Sequence, residues 1–245
     1  MNEVIRQLKQ RKSVRAFEER PIGRAEKQAI LEAAVQAPTA GNQQLYTILD
    51  ITDPEVRSSL VDTCDHQSMI GKAPMVLIFC ADCKKWYDGF LAAGCSPRKP
   101  ETGDLMLAVC DTLIAAQNAV TAAQSLGIGS CYIGDVMENC EAQRALLKLP
   151  DYVFPAAMVI FGYPTRQQEE RPKPRRVELS CIVQENGYQP LTAEQLEQMW
   201  TPRAGKLPYQ QWMERFCARK FNSDFSREMS RSVEEYLSQY RSESR

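Results

Sequence analysis

The chain contains one histidine, His66, among its 245 residues. It also lacks a Gly-x-Ser-x-Gly nucleophile elbow, so serine hydrolase chemistry has little support. The P-loop pattern and the Gly-x-Gly-x-x-Gly pattern, which bind phosphate through backbone amides at a helix start, are absent as well. A phosphate bound by this protein must therefore be held by side chains.

The sequence has little net charge and no long hydrophobic run. Its 30 Lys and Arg nearly balance its 31 Asp and Glu, which argues against a general nucleic-acid-binding surface. The longest apolar run, residues 73–81, is much shorter than the ~20 residues of a membrane-spanning helix, and the N-terminus shows no signal-peptide pattern. We therefore expect a cytoplasmic protein without a membrane or nucleic-acid partner.

The nine cysteines follow no disulfide framework. Cys80 and Cys83 have the Cys-x-x-Cys spacing at the end of a predicted strand, but with a single histidine no convincing zinc site can be assembled. We interpret most of these thiols as small buried hydrophobic groups and predict no metal site, while a redox role for Cys80 and Cys83 stays open.

Hydrophobic periodicity predicts a globular protein in which strands and helices alternate. The predicted strands cover residues 46–51, 75–80, 130–134 and 155–161, and the predicted helices cover residues 3–10, about 21–36, 53–64, 105–126 and 139–147. Residues 84–103 read as a short helix and an irregular insertion that shapes a pocket. The helix 105–126 carries few charges, so we expect it to be buried nearly all round, at a domain centre or a subunit interface.

Beyond residue 190 the sequence continues for about 55 residues. We predict this part to be helical in its last third. Large apolar side chains such as Trp200, Trp212 and Phe216 interrupt its charged background, which is unlike a free tail. We expect it to wrap over its own domain or a partner subunit.

Two basic clusters stand apart in the sequence. Residues 11–15 place three cations around the hydroxyl of Ser13, and residues 171–176 follow the predicted strand 155–161 and the turn 162–164. Either cluster alone is typical of a solvated surface. Together with the polar loops 38–44, 66–67 and 132–135, they suit a phosphorylated, planar, hydrogen-bonding cofactor.

Five segments in this order and spacing resemble the FMN-dependent nitroreductase family. They are Arg-x-Ser-x-Arg at 11–15, Ala-Pro-Thr-Ala-Gly-Asn-Gln-Gln at 37–44, Gln67 ahead of Lys72-Ala73-Pro74, Tyr-Ile-Gly at 132–134, and Gly-Tyr-Pro at 162–164 followed by Lys-Pro-Arg at 173–175. The segments 173–175 and 187–191 are similar to those of the NADPH nitroreductase and flavin reductase group with a C-terminal extension.

The resemblance, which spans about residues 1–195, implies an α+β fold. In this fold three layers form a sandwich with a mixed, mainly antiparallel sheet flanked by helices, and two chains form an intertwined homodimer. It implies an FMN-binding domain at residues 1–195 and a C-terminal helical extension at residues 196–245.

The same resemblance implies a set of cofactor-binding residues. These are Arg11, Lys12, Ser13, Val14, Arg15, Thr39, Asn42, Gln67, Tyr132, Ile133, Gly134, Asp135, Lys173, Pro174 and Arg175. Thr39 and Asn42 would act from the opposite subunit, although both also fit ordinary turn chemistry, and Gln67 also fits an ordinary loop amide. No catalytic side chain is implied, because the flavin carries the redox chemistry.

The implied activity is hydride transfer from NADPH or NADH through FMN to a nitroaromatic, quinone or flavin acceptor in a ping-pong cycle. Arg15 is the candidate cation for offsetting negative charge on the reduced flavin. Three alternatives stay open: a specialised reductase of another electron-poor metabolite, a non-enzymatic flavin-binding or protein-interaction module, and a basic-loop nucleic-acid binder.

Overall fold

The structure, a computed structural model, describes residues 1–241. The strands are β1 (Tyr46–Asp50), β2 (Met75–Asp82), β3 (Gly129–Ile133) and β4 (Val153–Gly162). The α-helices are α1 (Glu3–Gln10), α2 (Arg24–Val35), α3 (Pro54–Thr63), α4 (Met69–Lys72), α5 (Lys84–Ala92), α6 (Thr102–Ser125), α7 (Cys140–Leu147), α8 (Arg166–Glu170), α9 (Ala193–Ala204), α10 (Tyr209–Lys220) and α11 (Asp224–Ser238).

Local sequence signals explain where several helices begin. The Asn2 side chain accepts a hydrogen bond from the Ile5 amide at 3.0 Å, which caps α1. The Asp53 carboxylate accepts from the Glu55 amide at 2.8 Å, and Pro54 occupies the first turn of α3. These caps place both helix starts within a residue or so of the positions that the sequence predicts.

The four strands form one sheet in the order β1-β2-β4-β3. All three strand pairs are antiparallel, and within residues 1–241 parallel pairing is confined to an isolated bridge between Ser13 and Ser130. The central strands β2 and β4 are buried along their whole length. The sheet is therefore mainly antiparallel, as predicted, and its parallel pairing within the described residues is that one bridge.

Helices cover both faces of the sheet. Alternate residues of β2 point to opposite sides: Val76 and Ile78 pack in one cluster with residues of α3 and α4, and Leu77 and Phe79 pack in another with residues of α2 and α6. This arrangement of helix layer, sheet and helix layer confirms the predicted three-layer α+β fold.

Helix α6 is the core helix of one layer. Its buried side includes Ala108, Ala115 and Ala119, but Met106 and Leu113 on other sides are exposed. The expectation of burial nearly all round is therefore wrong for the single chain. By length and composition alone α6 could cross a membrane, but its buried positions lie against α2 and the sheet, and core helices commonly share these properties.

The chain divides into two compact units. Residues 1–171 and the C-terminal residues from Met229 form the first unit, and residues 172–228 form the second. The boundary that the sequence suggests at residue 195 lies inside the second unit. The region after residue 190 contains three helices and is not helical in its last third only.

The C-terminal end of the chain belongs to the first unit. Tyr236 and Tyr240 are fully buried in a cluster with Leu45, Ala81 and Phe154. The Ser232 hydroxyl donates to the Met137 carbonyl at 2.6 Å and accepts from the Cys140 amide at 2.9 Å. The end of α11 therefore supports the segment between β3 and α7.

Candidate functional site

The basic segment 11–15 lies along the edge strand β3. Helix α1 ends at Arg11, whose amide donates to the Gln7 carbonyl at 2.8 Å, and the chain then extends. The Val14 amide donates to the Ser130 carbonyl at 2.9 Å. A side chain at Gly129 would come within 2.6 Å of Val14, so the close approach of the segment to β3 requires glycine there.

Two guanidinium groups at this segment are incompletely paired. The Arg11 Nη1 and the Arg171 Nε atoms are buried and have no hydrogen-bond partner within residues 1–241. Arg171 reaches the segment, because its Nη2 donates to the Ser13 carbonyl at 2.6 Å. A buried cationic group without a partner is energetically unfavourable. An anion bound beside Ser13 would accept hydrogen bonds from both guanidinium groups, so this position suits an anion.

Lys12 and Arg15 are used differently from Arg11. The Lys12 ammonium donates to the Glu169 carbonyl at 2.6 Å and to the Arg171 carbonyl, at the C-terminus of α8, where the helix dipole favours a cation. The Arg15 amide donates to the Gln168 Oε1 at 3.2 Å while its side chain is exposed. Lys12 therefore holds the C-terminal end of α8 in place, whereas the charged group of Arg15 is accessible to solvent.

The predicted contacts from Tyr132 to Asp135 lie on β3 and the 3₁₀ turn that follows it. Burial raises the pKa of Tyr132 to about 12, and the nearby positive charge of Arg11 opposes this shift. The Ile133 side chain is buried in the core, whereas Gly134 is exposed at the end of the strand. Asp135 is half-buried and begins the turn Asp135–Met137. The structure thus places Tyr132 on the strand that pairs with Ser13, and Gly134 directly after that strand.

Gln67 lies in the connection between α3 and α4. The two preceding residues, Asp65 and His66, adopt left-handed backbone conformations with φ of 60° and 54°. The Gln67 carbonyl accepts from the Ile70 amide at 3.0 Å, and its side chain is half-buried. His66 is exposed, and its Nδ1 lies 3.6 Å from the carboxylate of Asp62, which is also exposed.

Thr39 and Asn42 belong to a tight loop anchored on α6. The Thr39 hydroxyl donates to the Asp111 carboxylate and accepts from the Gln44 amide at 2.8 Å. Asn42 is exposed and has a left-handed backbone conformation. Their predicted action on the cofactor of a second subunit stays a prediction, and turn chemistry accounts for the Thr39 side chain.

Lys173, Pro174 and Arg175 belong to the second unit. The Arg175 Nη2 donates to the Glu178 carboxylate at 2.7 Å. Within this unit Arg175, Arg176 and Arg203 line a cavity of about 380 Å³. Their predicted meeting with residues 11–15 at one cofactor stays a prediction.

The Cys80 and Cys83 thiols point into separate parts of the core. Cys80 packs with one cluster and Cys83 with the cluster around Tyr236. Burial raises the pKa of both thiols to about 12. At neutral pH both are protonated, and since the thiolate is the reactive form, the geometry favours the structural interpretation over a redox role.

Sequence reasoning missed three residues that shape this site. Arg171 belongs to the basic cluster 171–176, but its contact with Ser13 spans 158 positions of sequence. Asp111, which holds the loop of Thr39, lies in a helix and belongs to none of the motifs. Gly129 permits the close approach of Val14, which no local pattern indicates.

Comparison with known proteins agrees with this description. A model of the nitroreductase family matches residues 8–163. The "oxygen-insensitive NADPH nitroreductase" of Salmonella typhimurium is 32% identical over 219 residues, covering 86% of this chain and 88% of that protein. The "FMN reductase [NAD(P)H]" of Bacillus subtilis is 31% identical over 175 residues, covering 71% and 70%.

Among solved structures, a putative oxidoreductase from Bacteroides fragilis superposes with a TM-score of 0.87 at 26% identity, covering 96% of this chain and 98% of that one. The family and the fold predicted from the sequence are thereby confirmed. This chain belongs to the nitroreductase family.

Proposed function

We propose that this protein is an FMN-dependent oxidoreductase that transfers hydride from NAD(P)H to a small electron-poor acceptor. Curated relatives carry the names NADPH nitroreductase, FMN reductase and NADPH-flavin oxidoreductase. The observation that carries the proposal is the pair of buried guanidinium nitrogens of Arg11 and Arg171 beside Ser13, which have no partner in the described part of the chain.

These residues fit the phosphate of FMN. A phosphate monoester carries about −1.5 to −2 charges at neutral pH and accepts several hydrogen bonds. Helix α1 ends at this segment, and the negative end of its dipole repels anions, so side-chain cations are needed to bind one there. Arg11 and Arg171 supply such cations and Ser13 adds a hydroxyl donor. Bound FMN supplies the two-electron redox chemistry that no side chain of this site provides.

The remaining site residues have positioning roles in this proposal. Tyr132 lies on β3 beside residues 11–15 and Gly134 directly follows this strand, and we propose that their backbone groups would meet the flavin ring. Gln67 carries both a donor and an acceptor for the hydrogen-bonding edge of the ring. The exposed Arg15 cation would offset negative charge on the reduced cofactor, as the family resemblance implies.

We infer that the donor leaves before the acceptor binds, so that nitroaromatics, quinones or free flavin are reduced in a ping-pong cycle. The relatives' names support acceptors of several chemical kinds, since one is a Cr(VI) reductase and others are nitroreductases or flavin reductases. The test is a set of double-reciprocal plots of initial rate against acceptor concentration, each at a fixed donor concentration. Parallel lines would support the ping-pong cycle, and intersecting lines would contradict it.

The choice of NADPH as donor draws support from the second unit. Its cavity of about 380 Å³ is lined by Arg175, Arg176 and Arg203, together with amide side chains such as Gln195. A 2′-phosphate is an anion that arginine forks bind well. We propose that this cavity discriminates NADPH from NADH.

We also propose that the protein acts as a cytoplasmic homodimer. The supporting feature is an apolar surface of the single chain, formed by Met106, Leu107, Leu113 and Ile114 on α6 and by Val4, Ile5 and Leu8 on α1. Exposed apolar side chains of this extent are typical of an interface. If each site needs both subunits, dilution to the monomer should release FMN.

The test begins with the colour of the purified protein. We expect a yellow protein, or an apoprotein that turns yellow with added FMN, and bleaching of that colour by NADPH without oxygen. Negligible NAD(P)H oxidation by a yellow protein would favour the non-enzymatic module. A colourless protein that does not take up FMN would contradict the proposal as a whole.

A further inference from the structure

The second unit has an aromatic groove in addition to its arginine-lined cavity. Side chains of α9 and α10 form this groove, which has a volume of about 400 Å³ and is walled by residues that include Trp200, Trp212 and Phe216. The Trp212 and Phe216 rings are stacked, with their centroids 5.1 Å apart. All three aromatic side chains are half-buried, so part of each ring is accessible to a ligand.

Arg203 lines both the aromatic groove and the cavity. Successive residues of an α-helix are about 100° apart around its axis, so Arg203 lies between Met199 and Trp200 on the surface of α9. Met199 lines the cavity, and Trp200 lines the groove. The two spaces are therefore neighbours, and the Arg203 side chain lies between them.

The Arg203 guanidinium can contact a ring and an anion at the same time. Its central carbon lies over the Trp200 ring, 5.3 Å from the centroid, and over the Phe216 ring at 5.8 Å. Within residues 1–241, Arg203 has these ring contacts but no hydrogen bond or ion pair, whereas Arg175 on the cavity wall is paired with Glu178. The N–H groups of Arg203 are therefore available to an anion.

These features favour a ligand that carries a phosphate close to a planar ring. An arginine fork binds phosphate through paired hydrogen bonds, and aromatic side chains stack on nucleobases. In NADPH, the 2′-phosphate and the adenine are attached to neighbouring carbons of one ribose. A single arginine beside a groove of aromatic rings can therefore contact both groups.

We infer that the aromatic groove binds the adenine ring of NADPH while Arg203 binds the adjacent 2′-phosphate. This inference rests on the proposed function and extends it, because the groove adds a subsite for the base to the cavity that binds the phosphate. NADH carries the same adenine without the 2′-phosphate. The groove therefore contributes affinity for both donors, and Arg203 contributes the difference between them.

The experiment measures binding of 2′,5′-ADP to the full-length, FMN-loaded protein by calorimetry and by tryptophan fluorescence. The chain has three tryptophans, and Trp86 lies in the first unit. In Trp86→Phe the tryptophan emission therefore comes from Trp200 and Trp212 alone. We expect 2′,5′-ADP to quench this emission, because the adenine stacks against the groove. Inorganic phosphate should bind about fivefold or more weakly and leave the emission unchanged.

Variants separate the contribution of the rings from that of the charge. Trp212→Leu and Phe216→Leu each remove a stacking surface and should raise the Kd for 2′,5′-ADP about fivefold or more. Arg203→Ala should raise this Kd about tenfold or more and leave the Kd for 5′-ADP, which lacks the 2′-phosphate, nearly unchanged. Arg219→Ala is the matched control, because Arg219 also lies over the Phe216 ring, at 5.3 Å, but lines neither space. It should keep the Kd within twofold.

Melting temperatures and the Kd for FMN are measured for every variant. If Trp212→Leu or Phe216→Leu fails to fold, the quenching in Trp86→Phe and the comparison of 2′,5′-ADP with inorganic phosphate still decide the question, because both leave the groove unaltered.

Three results would overturn the inference: no binding of 2′,5′-ADP, bound 2′,5′-ADP without quenching in Trp86→Phe, or equal losses of affinity in Arg219→Ala and Arg203→Ala. A groove covered by a second copy of the chain would give one of the first two results. In each case, FMN binding and bleaching by NADPH would still uphold the proposed function. A protein that takes up no FMN would overturn the proposed function, whether or not it binds 2′,5′-ADP.

Discussion

Replacing Arg11 with alanine should lower FMN affinity without lowering the stability of the apoprotein. The Arg11 Nη1 is buried and has no partner within the described chain. A buried donor without a partner costs about 1–3 kcal/mol, so its removal should leave the apoprotein at least as stable as wild type. Loss of packing by the side-chain stem works against this gain, and we therefore expect an unchanged or slightly raised melting temperature.

The effect on the FMN complex should be much larger. A hydrogen bond to a charged group contributes about 1.5–3 kcal/mol. Since each 1.4 kcal/mol is a factor of ten, the Kd for FMN should rise about 10- to 100-fold in Arg11→Ala. Fluorescence titration of the apoprotein gives the Kd, and a thermal melt of the same sample gives the stability.

Two further variants make this result interpretable. Arg166→Ala removes the same charge from an exposed side chain that is paired with Glu170 on the nearby helix α8, so it should change neither quantity appreciably. Arg171→Ala should lower FMN affinity and also apoprotein stability, because the Arg171 Nη2 donates to the Ser13 carbonyl at 2.6 Å. If Arg11→Ala lost apoprotein stability and kept its FMN affinity, the assignment of Arg11 to the phosphate would be refuted.

Three other changes test separate parts of the structure. Arg203→Ala should raise KM for NADPH about tenfold or more and leave KM for NADH nearly unchanged, because a charge-assisted hydrogen bond to the 2′-phosphate would be lost. Steady-state kinetics with each donor measure this, and equal effects on the two KM values would contradict the assignment. Gly129→Ala should lower the free energy of unfolding by about 1–3 kcal/mol in urea titrations, since the new Cβ meets Val14, and Val14→Ala in the same chain should restore part of the loss. The hydrogen bond from Arg98 lowers the pKa of Asp104, so Asp104→Asn should destabilise the protein at pH 7. This deficit should begin to shrink as the pH falls below the ordinary aspartate pKa of about 4, and a deficit of constant size from pH 5 down to pH 3 would show that charge is not the cause.

The elements of the first unit were predictable because their signals are local. Buried strands are short apolar runs, and Asp53 and Pro54 mark a helix start by capping and by a fixed φ. The second unit was harder to predict, because Pro202 lies inside α9 and α10 has no buried residue. Because the apolar residues of α9 and α10 follow the helical period only weakly, their sequence gives little basis for predicting a helix.

The site was predictable as a set of segments but not as a set of contacts. The order of the segments is a property of sequence, whereas the bonds from Arg171 to Ser13 and from Asp111 to Thr39 join residues 158 and 72 positions apart. Such pairs follow from how the layers pack, and no local pattern encodes them. Left-handed backbone at Asn42 and Gln44 is equally hidden, because neither residue is glycine.

The basic segment 11–15 illustrates why charge in a sequence is not the same as charge available to a ligand. Lys12 is engaged by backbone carbonyls at the end of α8, and Arg171 gives one nitrogen to the Ser13 carbonyl. Among the residues that the structure describes, Arg11 keeps a buried nitrogen without a partner, and the Arg15 side chain is exposed. Lys12 and part of Arg171 therefore set the geometry, whereas Arg11 and Arg15 carry the charge that a phosphorylated cofactor would meet. Salt should accordingly weaken FMN binding less than a count of the basic residues suggests, because buried charges are screened less than exposed ones.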